Sequence, residues 1–203
     1  MALRAGGTKD RLGRSTSATD AVDLSALRGI VTYEPEELIL IARPATPLTE
    51  VEALLAERGQ HLAFEPPHWG AAATLGGTLG VGASGPRRFV AGAARDFVLG
   101  MEFVDGRGRV IRTGGRVVKN VTGFDLWRSL VGAYGTLGIM TEVCLKLWPR
   151  PQTQRTVAIV GLGRTEALAR MFAWSRRPEA VTGLSYTPAD DSLWARVEGS
   201  SAA

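Results

Sequence analysis

Glycine is concentrated in one segment of the chain, from Thr74 to Gly85, where five of the twelve residues are glycine. A segment with so few side chains can turn sharply, and its backbone N–H groups can converge on one centre. A concave row of N–H donors binds anions, and phosphate or diphosphate suits it best. The same composition is also typical of tight turns that hold no ligand, so both interpretations stay open for this segment alone.

The last six residues of this segment, Gly80–Gly85, match the spacing G-x-G-x-x-G of dinucleotide-binding folds. That signature requires a strand before it and a helix after it, whereas here Pro66 and Pro67 precede the segment and Gly92 shortens any following helix. A P-loop is absent from the sequence, because Gly-Lys followed by Ser or Thr does not occur. The pattern therefore argues against a Rossmann fold.

Two further glycine segments share this chemistry. Gly6–Lys9 puts two glycines before a hydroxyl and an ammonium, all useful at a phosphate, although a disordered basic N-terminus is an equal alternative. Gly132–Gly138 lies between a predicted helix and a predicted strand, where the backbone can approach a ligand closely; a helix end followed by a turn is the alternative. Three such segments, far apart in sequence, predict one extended ligand held at several points.

The hydrophobic pattern predicts α and β elements around these segments. Residues 1–20 are expected to form a loop, and 66–85 shows no regular pattern. Helices are expected from Thr46–Pro47 to Gly59 and over 126–131, with Thr46 and Asp125 accepting hydrogen bonds from the first backbone N–H groups. Strands are expected at 27–34, 37–43, 97–104, 109–113 and 138–148. After Pro149, a strand, a helix and two strands (157–160, 165–174, 184–187 and 193–197) predict a second, α+β unit.

Composition excludes several classes of protein. The sequence has one cysteine, Cys144, so no intramolecular disulfide framework is expected. It has two histidines, His61 and His68, and no all-protein metal site is expected. The net charge of +4 comes from scattered arginines without interleaved aromatic residues, so an anionic ligand or acidic partner is expected rather than nucleic acid. No segment approaches the ~18 apolar residues of a membrane span, and no signal peptide is recognisable. A cytoplasmic protein is expected.

Four segments together resemble a known family. They are Gly76–Arg88, Arg95–Gly100, Gly115–Leu126 and Gly132–Glu142, and they resemble the PCMH-type FAD-binding domain of the vanillyl-alcohol oxidase superfamily. Within that superfamily, 65–68, 83–88 and 119–125 are most similar to the FAD-binding E subunits of bacterial glycolate oxidases. The resemblance covers about residues 5–198, and the segments are specific in combination rather than singly.

The resemblance implies an α+β fold in two parts. Residues 1–150 would form the PCMH-type domain, in which two α/β subdomains clasp an extended FAD, and 151–203 would form a partial α+β cap domain. Compared with the family, part of the first subdomain and the end of the cap are expected to be missing. The implied cofactor contacts are largely to backbone. They are Gly6, Gly7, Thr8, Lys9, Pro67, His68, Thr74, Gly77, Val81, Gly82, Ala83, Ser84, Gly135, Thr136, Gly138 and Ile139.

The first glycine segment has no His or Cys for covalent flavin attachment, so noncovalent FAD is expected. No catalytic residue and no metal ligand is assigned. Lys119, Arg95 and Arg87 are candidate positive charges near a flavin or a carboxylate substrate, with a structural or solvated role as the alternative. His68 as a general base is a weaker candidate. Tyr134 is expected either to contact the flavin or simply to pack, and Asp96 is expected to be a turn carboxylate.

The function that the resemblance implies is that of an FAD-binding subunit in a glycolate (2-hydroxy acid) oxidase or dehydrogenase complex. Its implied partners are a catalytic FAD subunit and an iron–sulfur subunit. The implied location is the cytoplasm, and these partners could attach the protein to the surface of the inner membrane. The alternative is a non-catalytic scaffold subunit that binds FAD weakly or not at all. A free-standing flavoenzyme is less favoured, since the cap segment is short.

Overall fold

The computed structural model describes residues 2–13, 18–115, 125–176 and 181–200. Lys119 and most of the 119–125 motif therefore lie outside the described residues. Twelve strands are present in the described part: β1 (Ala2–Arg4), β2 (Ala21–Asp23), β3 (Ile30–Glu34), β4 (Ile39–Ala42), β5 (Gln60–His61), β6 (Val98–Val104), β7 (Val110–Gly114), β8 (Ile139–Lys146), β9 (Trp148–Pro149), β10 (Thr153–Ile159), β11 (Val181–Thr187) and β12 (Ser192–Gly199). The α-helices there are α1 (Leu48–Ala56), α2 (Leu75–Val81), α3 (Arg88–Ala91), α4 (Trp127–Leu130) and α5 (Arg164–Ser175).

The chain divides into two compact units. The first comprises residues 1–85 and 92–149, and the second comprises 86–91 and 150–203. The sequence-based assignment of 1–150 to an FAD domain and of 151–203 to a truncated cap stays a prediction.

A five-stranded sheet in the order β3-β4-β8-β6-β7 forms the centre of the first unit, and all its neighbours are antiparallel. β4 is buried along its whole length, as expected for an aliphatic strand between two neighbours. β6 and β7 form the predicted hairpin. There Asp105 accepts hydrogen bonds from the N–H groups of Arg109 and Arg107, at 3.0 and 2.8 Å, and these bonds with the Arg109 guanidinium lower the pKa of the carboxyl.

The first unit differs from the sequence expectation at its N-terminus. Residues 2–4 were expected in a loop, but they form β1, which pairs in parallel with β2. The N–H of Leu24 also donates to the carbonyl of Arg4, at 2.6 Å. This pairing joins residues about twenty positions apart, so the local sequence pattern carries no signal for it.

Both predicted helix caps are wrong. The Thr46 side chain is buried and accepts from the N–H of Gly29 at 2.9 Å, while it donates to the carbonyl of Arg43, so Pro47 takes the N-cap position of α1. The Asp125 carboxylate instead accepts from the Arg128 guanidinium at 2.9 Å, and α4 begins without a side-chain cap. In both cases a stronger or more buried partner competes successfully for the side chain.

The glycine-rich segment 74–85 is a further difference, because most of it is helical rather than irregular. Thr74 caps α2 by accepting from the N–H of Gly77 at 3.2 Å, and Gly82, with φ of 65°, ends it. Glycine disfavours a helix by up to ~1 kcal/mol per residue. Burial of Leu75 and Leu79, both inaccessible to solvent, offsets that cost.

The second unit contains an antiparallel sheet in the order β10-β12-β11, with α5 packed on it. Its core includes Leu162, Ala167 and Leu193. The segment 86–91, which contains α3, belongs to this unit. The Arg87 guanidinium donates to both carboxylate oxygens of Glu198 on β12, and both side chains are almost completely buried.

No helix in the described ranges is long and apolar enough to cross a membrane. Within the same residues, no cluster of three or more His, Cys, Asp or Glu side chains could hold a metal ion.

Candidate functional site

A cleft of about 880 Å³ opens in the first unit. Its size lies within the ~300–1,000 Å³ of small-molecule and cofactor sites. Three glycine segments that are distant in sequence meet in it: 6–9, 74–81 and 132–138. Pro44 and Ala45, from the connection between β4 and α1, complete this part of the lining.

The first segment leaves β1 and passes very close to the chain around Ala72. A Cβ atom on Gly6 would lie 1.7 Å from the carbonyl oxygen of Ala72, so only glycine fits there without a backbone shift. Gly7 has a φ of 66°, which glycine adopts without strain. Within the described residues, the N–H groups of Gly7 and Thr8 have no hydrogen-bond acceptor. In that part of the chain, these two donors are not used by the protein.

Lys9 adds the positive charge of this segment. Its ammonium donates to the Thr8 hydroxyl at 3.2 Å and lies 5.4 Å from the centre of the Trp69 ring, within range of a cation–π interaction. Partial burial lowers the Lys9 pKa, because desolvation disfavours the charged form. No described carboxylate pairs with it, in contrast to Arg4 of the same cleft, which lies 3.3 Å from Asp10.

The second segment enters the cleft as α2. A Cβ atom on Gly76 would lie 2.4 Å from the Cβ of Pro44, and the N–H of Gly76 donates to the Pro44 carbonyl at 2.7 Å. Gly77 brings the helix close to Lys9, since a Cβ there would lie 3.7 Å from the ammonium nitrogen. The glycines of α2 therefore allow Pro44 and Lys9 to lie close to the helix.

The third segment is hydrogen-bonded to the second and lies close to β1, which leads into the first. The N–H groups of Gly132 and Tyr134 donate to the carbonyls of Leu79 and Gly80, at 2.9 and 2.8 Å. Tyr134 and Gly135 follow each other with positive φ values of 55° and 73°. A Cβ on Gly135 would lie 2.8 Å from a methyl group of Leu3 on β1. The three segments thus form one connected wall.

Most of the predicted cofactor contacts meet in this cleft. Those that line it are Gly6, Gly7, Thr8, Lys9, Thr74, Gly77, Val81, Gly135, Thr136 and Gly138. Their individual roles toward a cofactor stay predictions.

The other predicted contacts do not line the cleft: Pro67, His68, Gly82, Ala83, Ser84 and Ile139. His68 pairs through its Nε2 with the Glu52 carboxylate at 3.0 Å. The Ser84 hydroxyl accepts from the N–H of Ala94 at 2.9 Å, and Ile139 begins β8. The side chains of His68 and Ser84 thus have partners within the protein. For all six residues, contact with a cofactor stays a prediction.

Among the candidate cations, Arg87 is buried against Glu198 in the second unit, which favours its structural role. Arg95 is exposed, and Lys119 is not among the described residues. Sequence reasoning missed Pro44 and Ala45, which contribute by backbone position and leave no pattern. It named Tyr134 as a flavin contact with plain packing as the alternative, and its place within the third glycine segment was the signal for it.

The fold and the cleft define a class of protein: the chain belongs to the FAD binding domain family, which it matches over residues 1–114. Over 199 residues it is 42% identical to glycolate oxidase subunit GlcE of Escherichia coli K12, covering 98% of this chain and 56% of that protein. It is 36% identical to glycolate oxidase subunit GlcD of Bacillus subtilis 168 over 129 residues, which are 63% of this chain and 27% of that one. The chain spans about half the length of GlcE and about a quarter of GlcD.

A solved structure of alkyldihydroxyacetonephosphate synthase superposes with a TM-score of 0.74, covering 99% of this chain and 43% of that one. At 17% identity this similarity shows the fold alone. Together with the family match, it confirms the predicted α+β, PCMH-type fold. The predicted resemblance to glycolate oxidase subunits is confirmed by the sequence relatives. FAD is the cofactor of this domain, as predicted.

The described cleft fits an extended dinucleotide. It has the volume for one, its walls approach closely at glycines, and it offers unused N–H donors at Gly7 and Thr8 beside the Lys9 ammonium. These are groups that bind diphosphate oxygens.

Proposed function

We propose that this chain is the FAD-binding subunit of a glycolate-type, 2-hydroxy-acid oxidase or dehydrogenase complex. The observation that carries the proposal is the convergence of three glycine segments on one cleft, in a chain that is 42% identical to GlcE over 98% of its length. FAD would occupy that cleft in the first unit.

In this proposal the first segment holds the diphosphate. The N–H groups of Gly7 and Thr8 donate to its oxygens, and the Lys9 ammonium offsets its charge. The turn at Tyr134–Gly135 forms a further part of the wall. Attachment is noncovalent, because neither His nor Cys occurs among the described residues that line the cleft.

When bound, FAD supplies the acceptor for a hydride removed from the hydroxyl-bearing carbon of the substrate. The chain's own residues would bind and orient it, and Leu3 and Met140 contribute apolar surface to the wall of the cleft. The one carboxylate of the described lining, Asp10, is paired with Arg4. No general base for the substrate's hydroxyl proton is assigned among these residues.

The proposed partners are a catalytic FAD subunit of the GlcD type and an iron–sulfur subunit, and the proposed substrates are glycolate and other small 2-hydroxy acids. The names of the two relatives, GlcE and GlcD, support an assembly of several subunits. The proposed location is the cytoplasm, with any membrane association made through the partners.

The test begins with the purified chain and equimolar FAD. Flavin absorption should remain with the protein through gel filtration, and acid precipitation should release all of the flavin, as noncovalent binding requires. Coexpression with a GlcD-type subunit and an iron–sulfur subunit should then give a complex that reduces an artificial acceptor with glycolate. A colourless chain that ignores added FAD but still assembles would support the alternative of a non-catalytic scaffold.

A further inference from the structure

Tyr134 combines an exposed aromatic ring with a backbone conformation that is unusual for its residue type. Its φ is 55°, in the left-handed region, where a bulky side chain is an outlier. The residue lines the cleft, and 54% of its surface is accessible to solvent. Strained residues of this kind gather at ligand sites, where the surrounding structure holds them in place.

The backbone around Tyr134 is fixed by named contacts. Its N–H donates to the carbonyl of Gly80 on α2 at 2.8 Å, and the neighbouring N–H of Gly132 donates to that of Leu79. On the other side, Gly135 lies close to Leu3 on β1. The left-handed conformation is therefore imposed by the cleft wall, and it determines where the ring stands.

The ring itself is left with an open surface. It lies beside Gly13, where an added Cβ would be 3.3 Å from the Tyr134 Cε1 atom. In the part of the chain that the structure describes, the Tyr134 hydroxyl has no hydrogen-bond partner, and no other aromatic ring stacks on it. The aromatic ring at this position is therefore explained neither by a hydrogen bond of its hydroxyl nor by packing in the hydrophobic core.

We propose that Tyr134 is a stacking residue for one of the two planar heteroaromatic rings of the bound dinucleotide, the isoalloxazine or the adenine. Flat rings of this kind gain from contact with an aromatic face, and the fixed backbone of Tyr134 limits the entropy that is lost on binding. The inference rests on the proposed occupancy of the cleft by FAD. It goes beyond that proposal by assigning recognition of a ring to a side chain rather than to backbone groups.

The test uses the full chain with Tyr134→Phe, Tyr134→Ala and Tyr134→Gly, and binding is measured by titration calorimetry with FAD, riboflavin and ADP. Tyr134→Ala should raise the dissociation constant for FAD on the order of ten-fold, as loss of a base–aromatic stack does. Tyr134→Phe should stay within about two-fold of the parent chain, since it keeps the ring. Tyr134→Gly should lose as much affinity as Tyr134→Ala, although glycine removes the backbone strain.

The two small ligands distinguish the rings. If Tyr134→Ala weakens riboflavin but not ADP, the residue stacks on the isoalloxazine; the reverse result assigns it to the adenine. Leu137→Ala is the matched control, because Leu137 lies in the same segment, is 55% exposed and does not line the cleft. It should bind all three ligands as the parent does.

Unchanged FAD affinity in Tyr134→Ala would overturn the inference, and so would retained FAD affinity in Tyr134→Gly. Equal losses of affinity in Tyr134→Phe and Tyr134→Ala would also contradict it. The same holds if Tyr134→Ala loses affinity equally for all three ligands, or if Leu137→Ala loses as much affinity as Tyr134→Ala. These outcomes are distinct from failure of the proposed function. In that case the parent chain itself would not bind FAD, whatever residue 134 is.

Discussion

Lys9 is the positively charged residue of the cleft for which the described residues supply no acidic partner. It is partly buried beside unused N–H donors. We expect Lys9→Met to weaken binding of both FAD and ADP about ten-fold or more, because a hydrogen bond to a charged group contributes ~1.5–3 kcal/mol. Riboflavin has no phosphate, so its affinity should not change. Calorimetry with the three ligands measures the difference.

Lys146→Met is the matched control for this variant, since Lys146 is also partly buried but lies on β8 outside the cleft lining. The parent chain should also lose ADP affinity as the pH rises. Burial lowers the Lys9 pKa from its ordinary value, and the charged form that binds phosphate is lost as the pH rises through that pKa. A Lys9→Met chain that kept the same alkaline loss would contradict this assignment.

For single residues, the sequence predicted backbone segments that line one cleft. It did not predict which hydrogen-bond partner a polar side chain takes when several are available. Gly6 and Lys9 were predicted to belong to a ligand site, and they line the cleft. Thr46 and Asp125 were assigned as helix caps from their types alone. Their actual partners, Gly29 and Arg128, are set by tertiary packing and by a competing guanidinium, which a local pattern does not show.

The turn that ends in Gly135 is an element whose shape depends on glycine. Its φ of 73° and the 2.8 Å approach of an added Cβ to Leu3 both disfavour a larger residue. Gly135→Val should therefore lower FAD retention through gel filtration, and Gly82→Val should do the same, because Gly82 has a φ of 65° and approaches Gly132. Unchanged flavin content in both variants would count against this wall of the cleft.

A control for backbone strain comes from the second unit. Gly161 has a φ of 76°, and an added Cβ would meet no atom within 4 Å. Gly161→Val should introduce similar strain in the left-handed region and lower the melting temperature, yet leave the dissociation constant for FAD unchanged. A loss of FAD affinity in this variant would show that strain anywhere in the chain impairs binding.

The ion pair between Arg87 and Glu198 fixes the segment 86–91 to β12. Both side chains are less than a tenth exposed, and Arg196 lies 3.3 Å from the same carboxylate. Removing one partner of a buried pair leaves an uncompensated charge, so Glu198→Gln should destabilise the unit by ~3–5 kcal/mol. Thermal unfolding followed by circular dichroism measures the change.

A double variant separates charge from packing at this site. Arg87→Met with Glu198→Leu should recover most of the lost stability, because apolar residues of similar volume replace a buried pair at little cost. The exposed pair of Glu166 and Arg170 on α5 is the comparison, and Arg170→Ala should change stability by less than ~0.5 kcal/mol. Equal effects of Glu198→Gln and Arg170→Ala would contradict the structural role of the buried pair.

Among elements, the hairpin of β6 and β7 and the strand β8 were predictable from sequence, since local turn residues and the hydrophobic pattern indicate them. α2 was not predictable in the same way. Its glycines disfavour a helix, and the burial of Leu75 and Leu79 that stabilises it depends on contacts made elsewhere in the fold.

For the whole molecule, the resemblance carried by four segments predicted the fold and the cofactor, which the relatives confirm. It did not predict that 86–91 belongs with the second unit. Within that unit, Arg87 of this segment pairs with Glu198, which is 111 positions away in the chain. A contact between residues so far apart in the chain produces no local pattern, so a single sequence does not predict it.

The described lining of the cleft lies entirely in the first unit, which predicts how stabilisation by FAD is distributed. FAD at a hundred times its dissociation constant should stabilise the folded unit by about 2.7 kcal/mol. The corresponding rise in melting temperature is roughly 5–10 °C. Hydrogen exchange should slow in β1, α2 and the 132–138 segment, whereas α5 and the sheet of the second unit should exchange at unchanged rates. Lys9→Met at the same FAD concentration should show less protection in the first unit only, and uniform protection of both units would contradict a site built within one of them.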